Sequence, residues 1–323
     1  MAHEVNKMIY VGDMPWHGLG VRLPQNATFE EVATSAGFFE VLERPVYVPG
    51  QLDPVPDVKA LVRADTGTAL SVVGSRYELI QARDVAKTLV EAAGDVRAIF
   101  HTAGMLGPTG SRFWLLAELP EPLRVKGDSS PIRKFLLGTS AHDGASPIVI
   151  QNTAVRVVCR NTLGSALGEK DRARWTIRHT RSAPERLREA ARGFRELVKG
   201  YEQFGQLANA LASTRFTDRQ LLAAVNEVMP IPLDDRDHKR LESGRAKVVE
   251  LFENGAGMSG IRGTAWGAWQ SFTEFADHFR PLRGVQGDPA AARLESIWLG
   301  GAADLKRRAL IAVAEGAGVR RAA

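Results

Sequence analysis

The sequence predicts an α+β fold, with a largely antiparallel N-terminal sheet and a mainly helical C-terminal portion. Two observations support this class. Up to residue 181, β-rich runs are separated by turn signals and pair as hairpins, without the strand–helix–strand alternation of a parallel sheet. From residue 182 onward, apolar residues recur with helical periodicity. The predicted organisation is an irregular arm (1–27), an α+β domain (28–181) and a helical domain (182–323).

The α+β domain begins with a short helix, because Thr28 and Glu31 form a capping box. Alternating apolar residues then predict a strand over residues 38–48. The D-T-G turn signal at residues 65–67 joins two β-rich runs and predicts a hairpin. A helix is predicted over residues 82–93. Two further hairpins follow, over residues 97–119 and 132–158.

The helical domain begins with a long amphipathic segment. From Leu187 to Leu211, apolar residues step by three and four positions for more than three heptads, which predicts one continuous helix. Ser182 and Pro184 are the expected start signals. Further helices are predicted over residues 217–228, 234–253, 264–278 and 289–314.

Positive charge is concentrated at the boundary between the two domains. Residues 151–200 contain twelve Lys or Arg and five Asp or Glu, whereas the whole chain has a net charge of only +5. A local excess of this kind attracts phosphate and is the electrostatic signature of a nucleic-acid-binding protein. The sequence therefore favours an anionic partner.

The R-W-T-I-R segment at residues 174–178 predicts a strand with one cationic face and one apolar face. Arginine binds phosphate through two donors and stacks on bases, so the cationic face suits single-stranded DNA or RNA; a solvated sheet edge is the alternative interpretation. The predicted nucleic-acid-binding residues are Arg156, Arg160, Arg174, Arg178 and Arg181, with His179 and Lys134 as outer members.

A basic stripe is also predicted on the long helix. Its members recur at helical spacing opposite the apolar seam: Arg188, Arg192, Arg195 and Lys199. The alternative is an ordinary solvated face, on which Glu185, Glu189 and Glu196 pair with these cations.

The H-D-G segment at residues 142–144 has two interpretations. In one, His142 and Asp143 form the centre of a metal-dependent nuclease or hydrolase, with His101 or His179. However, apart from the adjacent His142 and Asp143, no two of these residues have the i, i+2 or i, i+4 spacing of metal ligands. No carboxylate cluster accompanies them either. The favoured interpretation is a turn in which Asp143 caps its own backbone. The sequence therefore predicts no catalytic residue, no metal and no small-molecule cofactor.

Other features bear on the compartment. Cys159 is the only cysteine, which excludes an intramolecular disulfide and is interpreted as a small buried apolar residue rather than a nucleophile. The N-terminus has no signal-peptide pattern, and no apolar run approaches the roughly 20 residues of a membrane span. These features predict a soluble cytoplasmic protein that does not contact membranes.

Four motifs carry a family resemblance: W-H-G-L-G (16–20), R-A-D-T-G-T-A-L-S-V-V-G-S-R-Y-E (63–78), H-D-G (142–144) and V-R-V-V-C-R-N-T-L (155–163). In combination they resemble the phage- and plasmid-encoded proteins of the domain of unknown function 932, over about residues 16–310. This family has no established catalytic mechanism. The chain also resembles, more remotely, the single-strand annealing proteins of phage recombination (the Redβ, RecT and Erf group), in its strand–strand–strand–helix order and basic charge.

The resemblance and the charge together favour a non-enzymatic single-strand nucleic-acid-binding protein of phage or plasmid recombination, with strand annealing as its role. Annealing needs no bond chemistry, because a basic groove that grips one backbone leaves the base edges free to pair. A homo-oligomer is expected. A third hypothesis is an interaction protein that binds a host factor through its helical half.

Overall fold

The computed structural model of the protein describes residues 5–12, 20–25, 27–95, 98–156, 161–162, 174–231, 238–282, 289–298 and 300–319. It confirms the α+β class, with the sheets in the N-terminal half and the helices mostly in the C-terminal half. The strands are β1 (Val5–Val11), β2 (Val21–Leu23), β3 (Val41–Arg44), β4 (Val58–Arg63), β5 (Ala69–Gly74), β6 (Ile99–Leu106), β7 (Arg112–Leu123), β8 (Ile132–Ala141), β9 (Ile148–Arg156), β10 (Asn161–Thr162) and β11 (Arg174–Ile177).

The helices are α1 (Phe29–Ser35), α2 (Ala82–Asp95), α3 (Ala183–Arg192), α4 (Phe194–Ala212), α5 (Asp218–Val228), α6 (His238–Asn254), α7 (Ala265–Glu274), α8 (Pro289–Trp298) and α9 (Gly301–Gly316). A π-helical turn, Phe275–Phe279, continues α7. None of the helices in the described part of the chain is both long enough and apolar enough to cross a membrane.

The main sheet has the order β10-β9-β8-β7-β6-β1-β2, and β11 also pairs with β9. Its pairs are antiparallel except β1 with β2. The predicted hairpins over residues 97–119 and 132–158 are therefore confirmed as β6–β7 and β8–β9. A smaller antiparallel sheet, β3-β4-β5, contains the D-T-G hairpin.

The prediction of an irregular N-terminal arm was wrong for β1 and β2. Residues Met8 to Val11 are buried in the main sheet, where β1 pairs with β6. The surrounding Gly, Pro and Asn residues conceal this short apolar run in the sequence.

Two long helices were predicted where the structure has pairs of helices. The heptad segment is divided at Gly193 into α3 and α4, and the segment 289–314 is divided into α8 and α9. At Gly193 the ring of Trp175 packs closely against the chain, since a Cβ atom there would lie 2.8 Å from its Cζ2. This close approach lies at the junction of two helices whose apolar periodicity is continuous.

The helical portion packs on the sheet through aromatic side chains. Trp114 of β7 meets Trp298 of α8 with ring centroids 5.4 Å apart. The indole N–H of Trp266 donates to a carboxylate oxygen of Asp128 at 2.9 Å. One hydrophobic cluster includes buried residues from α2, the sheet and the C-terminal helices. The core therefore extends across the predicted domain boundary.

Candidate nucleic-acid interface

Strand β11 has the two faces that the sequence predicts. Arg174 and Thr176 are exposed, Trp175 is half-buried and Ile177 is buried. The register explains this, because Trp175 and Ile177 pair with Ile150 and Ile148 of the core face. The cationic face of β11 therefore lies at the edge of the sheet, beyond β9.

Helix α3 follows β11 and covers its apolar side. Ala183, Leu187 and Ala190 of α3 are buried, whereas Arg188 and Arg192 are exposed. Arg186 links the two elements, since its Nη2 donates to the carbonyl oxygen of Thr176 at 3.3 Å. This places the start of the predicted basic stripe beside the basic strand.

Five exposed arginines form the candidate interface and are called the edge arginines: Arg174, Arg178, Arg181, Arg188 and Arg192. Within the described residues, none of them has a carboxylate oxygen within 4 Å. Glu185 and Glu189, which could have paired with the stripe, form no such ion pair there either. Partial burial lowers the pKa of Arg174, but a guanidinium remains charged in proteins.

The remaining predicted residues do not all join this surface. Lys134 lies on β8 between residues Arg133 and Phe135 and pairs with Ala154 on the core face, where burial lowers its pKa and Glu121 and Glu202 oppose that effect. It is therefore on the opposite sheet face from Arg174, which pairs with Gln151.

Some predictions fall on parts of the chain that the structure does not describe. Arg160 and Cys159 lie outside the described residues, and only the backbone of Arg156 is described. That backbone pairs with Ile132 and with Asn161 at the end of β9. The side chains of Arg195 and of Glu196 are likewise outside the description.

His179 belongs to a polar cluster beneath the interface. Its ring stacks on Tyr77 with centroids 4.6 Å apart and planes 10° apart. Its Nδ1 lies 3.1 Å from the carbonyl oxygen of Glu78, and its Nε2 lies 3.3 Å from Oγ of Ser140. Burial lowers the pKa of His179, so at neutral pH it is a buried neutral ring rather than a phosphate contact.

The H-D-G segment is the turn between β8 and β9, as the favoured interpretation predicts. Gly144 has a φ of +76°, and Asp143 accepts hydrogen bonds from the N–H groups of Ala145 and Ser146 at 3.0 and 2.8 Å. Asp143 also accepts from the Ser146 hydroxyl at 2.6 Å and from Arg112 at 3.2 Å. Burial opposes ionisation, but these hydrogen bonds outweigh it and lower the pKa of Asp143 to about 2.

His142 is only 1% exposed, and neither ring nitrogen has a hydrogen-bond partner among the described residues. Burial, followed by the proximity of His179, lowers its pKa to about 4. The structure thus brings His142, Asp143 and His179 together. His101 lies elsewhere, on β6 against Phe135. Among the described residues, however, no three His, Cys, Asp or Glu side chains are arranged so that they could hold a metal ion.

Sequence reasoning did not identify Tyr77, Ser140 or Arg112 as members of this cluster. The pairing of β7 with β8 brings Arg112 and Ser140 beside the turn, and Tyr77 reaches it from the loop after β5. Ser71 of the small sheet also reaches the turn, because its hydroxyl donates to the carbonyl oxygen of His142 at 2.9 Å. The second motif (63–78) and the H-D-G motif are therefore in contact.

No curated protein and no solved structure matches this chain. A family model described as a domain of unknown function (DUF932) matches residues 69–298, more than two thirds of the chain. The matched region includes the H-D-G turn, β11 and α3. The likeness to phage annealing proteins stays a prediction, because no comparison bears on it. By the extent of its match, the chain belongs to the DUF932 family.

Proposed function

We propose that the protein binds single-stranded nucleic acid through the edge arginines, and that it acts in phage or plasmid recombination in the cytoplasm by holding strands for annealing. The observation that carries the proposal is the set of five exposed arginines without a carboxylate within 4 Å in the described structure. Surface arginines that are compensated by acids produce little field, whereas uncompensated ones attract phosphate.

The geometry suits a backbone contact rather than reading of bases. Among the described strands β11 pairs with β9 alone, and it passes directly into the segment that begins α3. The edge arginines therefore follow one continuous stretch of chain, from the edge strand β11 into α3, which packs against the apolar face of that strand. Guanidinium groups in such an arrangement bind successive phosphates and leave the bases accessible for pairing.

Two variants with the same change of charge test this proposal. Arg174→Gln with Arg178→Gln removes two edge arginines. Arg262→Gln with Arg307→Gln removes two exposed arginines of the helical half, which pair with Glu253 and Asp304. Fluorescence anisotropy with a labelled single-stranded oligonucleotide should show at least roughly tenfold weaker binding for the first variant only. Equal affinities for both variants and the unmodified protein would reject this interface.

The metal-dependent hydrolase centred on His142 and Asp143 has less support from the geometry. The ring of His142 is enclosed, and both oxygens of Asp143 accept hydrogen bonds from the turn and from Arg112. Incubating a labelled single strand with the protein and manganese tests this alternative. Cleavage that disappears in His142→Leu would favour the hydrolase over a purely binding role.

A further inference from the structure

A second cationic feature lies in the helical half, on elements that carry none of the edge arginines. It is a cleft of about 1120 Å³ between the end of α5, α6, the π-helical turn, α8 and α9, and is called the helical cleft. Its volume is close to the range of roughly 300–1,000 Å³ that is typical of small-molecule sites. Its charged lining residues are Arg240, Lys247, Glu250, Arg280 and Arg308.

Most of this charge has internal partners. Lys247 forms an ion pair with Glu250 at 2.7 Å and lies over the ring of Phe279, 4.4 Å from its centroid. Arg308 binds Asp304 at 3.1 Å and donates to the carbonyl oxygen of Val228 at 2.8 Å. The one acid of the lining, Glu250, is therefore already compensated by Lys247.

Arg280 is different, because its half-buried guanidinium has no acceptor among the described residues. Burial lowers its pKa, and the neighbouring Arg308 and Arg293 lower it further, against an opposing effect of Asp304. A guanidinium that is partly removed from water and has no protein acceptor loses some of its hydration without compensation. An anion in the cleft would supply the missing hydrogen bonds and relieve the repulsion between these arginines.

The start of α9 adds to this preference. Gly301, the first residue of α9, packs directly under Arg280, since a Cβ atom there would lie 2.8 Å from Nη2. The N-cap, Gly300, provides no side-chain hydrogen bond to the helix. The N-terminus of a helix carries partial positive charge, so the guanidinium and the helix end favour the same negative group.

We propose that the helical cleft binds the phosphoryl group of a nucleoside monophosphate. Arg280 and the N-terminus of α9 bind the phosphate, and Arg308 adds positive charge. The apolar lining, which includes Met229, Leu241 and Leu305, packs against the nucleoside. This site is separate from the proposed strand-binding function and requires neither an edge arginine nor the H-D-G turn.

Isothermal titration calorimetry of the full chain with adenosine monophosphate, adenosine and inorganic phosphate tests the site. The monophosphate should bind, and adenosine should bind much more weakly because it lacks the anion. Inorganic phosphate should also be weaker, because it lacks the nucleoside. No binding of the monophosphate would overturn the proposal, and phosphate binding as tight as that of the monophosphate would overturn the nucleoside part.

Three variants locate the binding. Arg280→Gln should weaken monophosphate binding by at least roughly tenfold. Gly301→Ala should do so as well, because the new methyl group displaces the flexible end of Arg280 while favouring the helix, so that the melting temperature hardly changes. Arg262→Gln, outside the cleft, is the control. If the first two variants bind as the unmodified protein does, the site is not the helical cleft.

Discussion

At the scale of single residues, His142 is the clearest case of chemistry set by its surroundings. Its pKa is lowered from an ordinary 6.5 to about 4, so the folded protein binds fewer protons than the unfolded chain in this interval. The stability that depends on the neutral ring of His142 is therefore fully present above pH 6.5 and is lost as the pH falls toward 4. Burial of the neutral ring without partners is tolerated only while the ring stays uncharged.

We expect the free energy of unfolding to decrease by up to roughly 3 kcal/mol between pH 6.5 and pH 4, from His142 with a contribution in the same direction from His179. Urea titrations of the unmodified protein and of His142→Leu at several pH values measure this. The variant should have a shallower pH dependence and about the same stability at pH 7, because the ring nitrogens have no partners to lose. Identical pH profiles would contradict the assignment to His142.

Below pH 4, Asp143 adds a further contribution to the pH dependence of stability. Its pKa is lowered from 3.8 to about 2, so its stabilising hydrogen bonds are present above pH 3.8 and are lost as the pH falls toward 2. The turn itself could be predicted from H-D-G, because Asp and Gly have local turn preferences. The contacts that His179 makes with Tyr77 and Ser140 beside this turn could not, because they join segments that are distant in the sequence.

Tyr201 provides a second test at this scale. Its buried hydroxyl accepts from the N–H of Phe135 at 3.0 Å, lies 2.6 Å from the carbonyl oxygen of Thr153 and also contacts the Phe135 carbonyl. Tyr201→Phe should cost about 1–3 kcal/mol, because it leaves buried backbone groups without a partner. Tyr77→Phe is a matched control with a smaller expected loss, since that hydroxyl only reaches the Ala141 carbonyl at 3.5 Å. Equal losses in urea unfolding would be inconsistent with this role.

At the scale of elements, the division between α3 and α4 was not predictable from periodicity. Leu187 and Ala190 in α3 and Tyr201 and Phe204 in α4 are all buried, so the apolar spacing continues through the break. At the break the chain packs against Trp175, a residue of another element. The same limit applies to β1, whose partner β6 lies about ninety residues further along the chain.

Gly193→Ala tests the close packing of Trp175 at this break. Alanine normally stabilises helices relative to glycine by roughly 1 kcal/mol. Here the added methyl group would meet the rigid ring of Trp175, so we expect a net loss of about 1–3 kcal/mol. Gly94→Ala in α2 is the control, because nothing lies within 4 Å of its added Cβ and its stability should rise. Thermal unfolding of both variants measures this effect. A higher melting temperature for Gly193→Ala than for Gly94→Ala would refute the explanation.

At the scale of the whole molecule, the two predicted domains share one core. The same hydrophobic cluster includes Leu115 and Ile150 of the sheet and Trp269 and Leu310 of the helical half. We therefore expect one unfolding transition, with coinciding midpoints for tryptophan fluorescence and far-UV circular dichroism. Two separated transitions would show that residues 28–181 and 182–323 are independent units.

The fold class was predictable because hairpin turns and helical periodicity are local signals. The candidate interface was predictable in part, since the alternation of Arg174 and Trp175 follows from strand geometry. The helical cleft was not, because Arg280, Gly301 and Arg308 have no sequence pattern in common. Their proximity results from the packing of α9 against the π-helical turn and α5.

The central claim is that the edge arginines bind nucleic-acid backbone, and the salt dependence of binding tests it most directly. A titration with single-stranded and double-stranded oligonucleotides at about 50 and about 200 mM salt should show single-strand affinity falling roughly hundredfold, as expected for about five phosphate contacts. Arg174→Gln with Arg178→Gln should make this dependence shallower. Tight binding that is insensitive to salt, or no binding of a single strand even at low salt, would contradict the account.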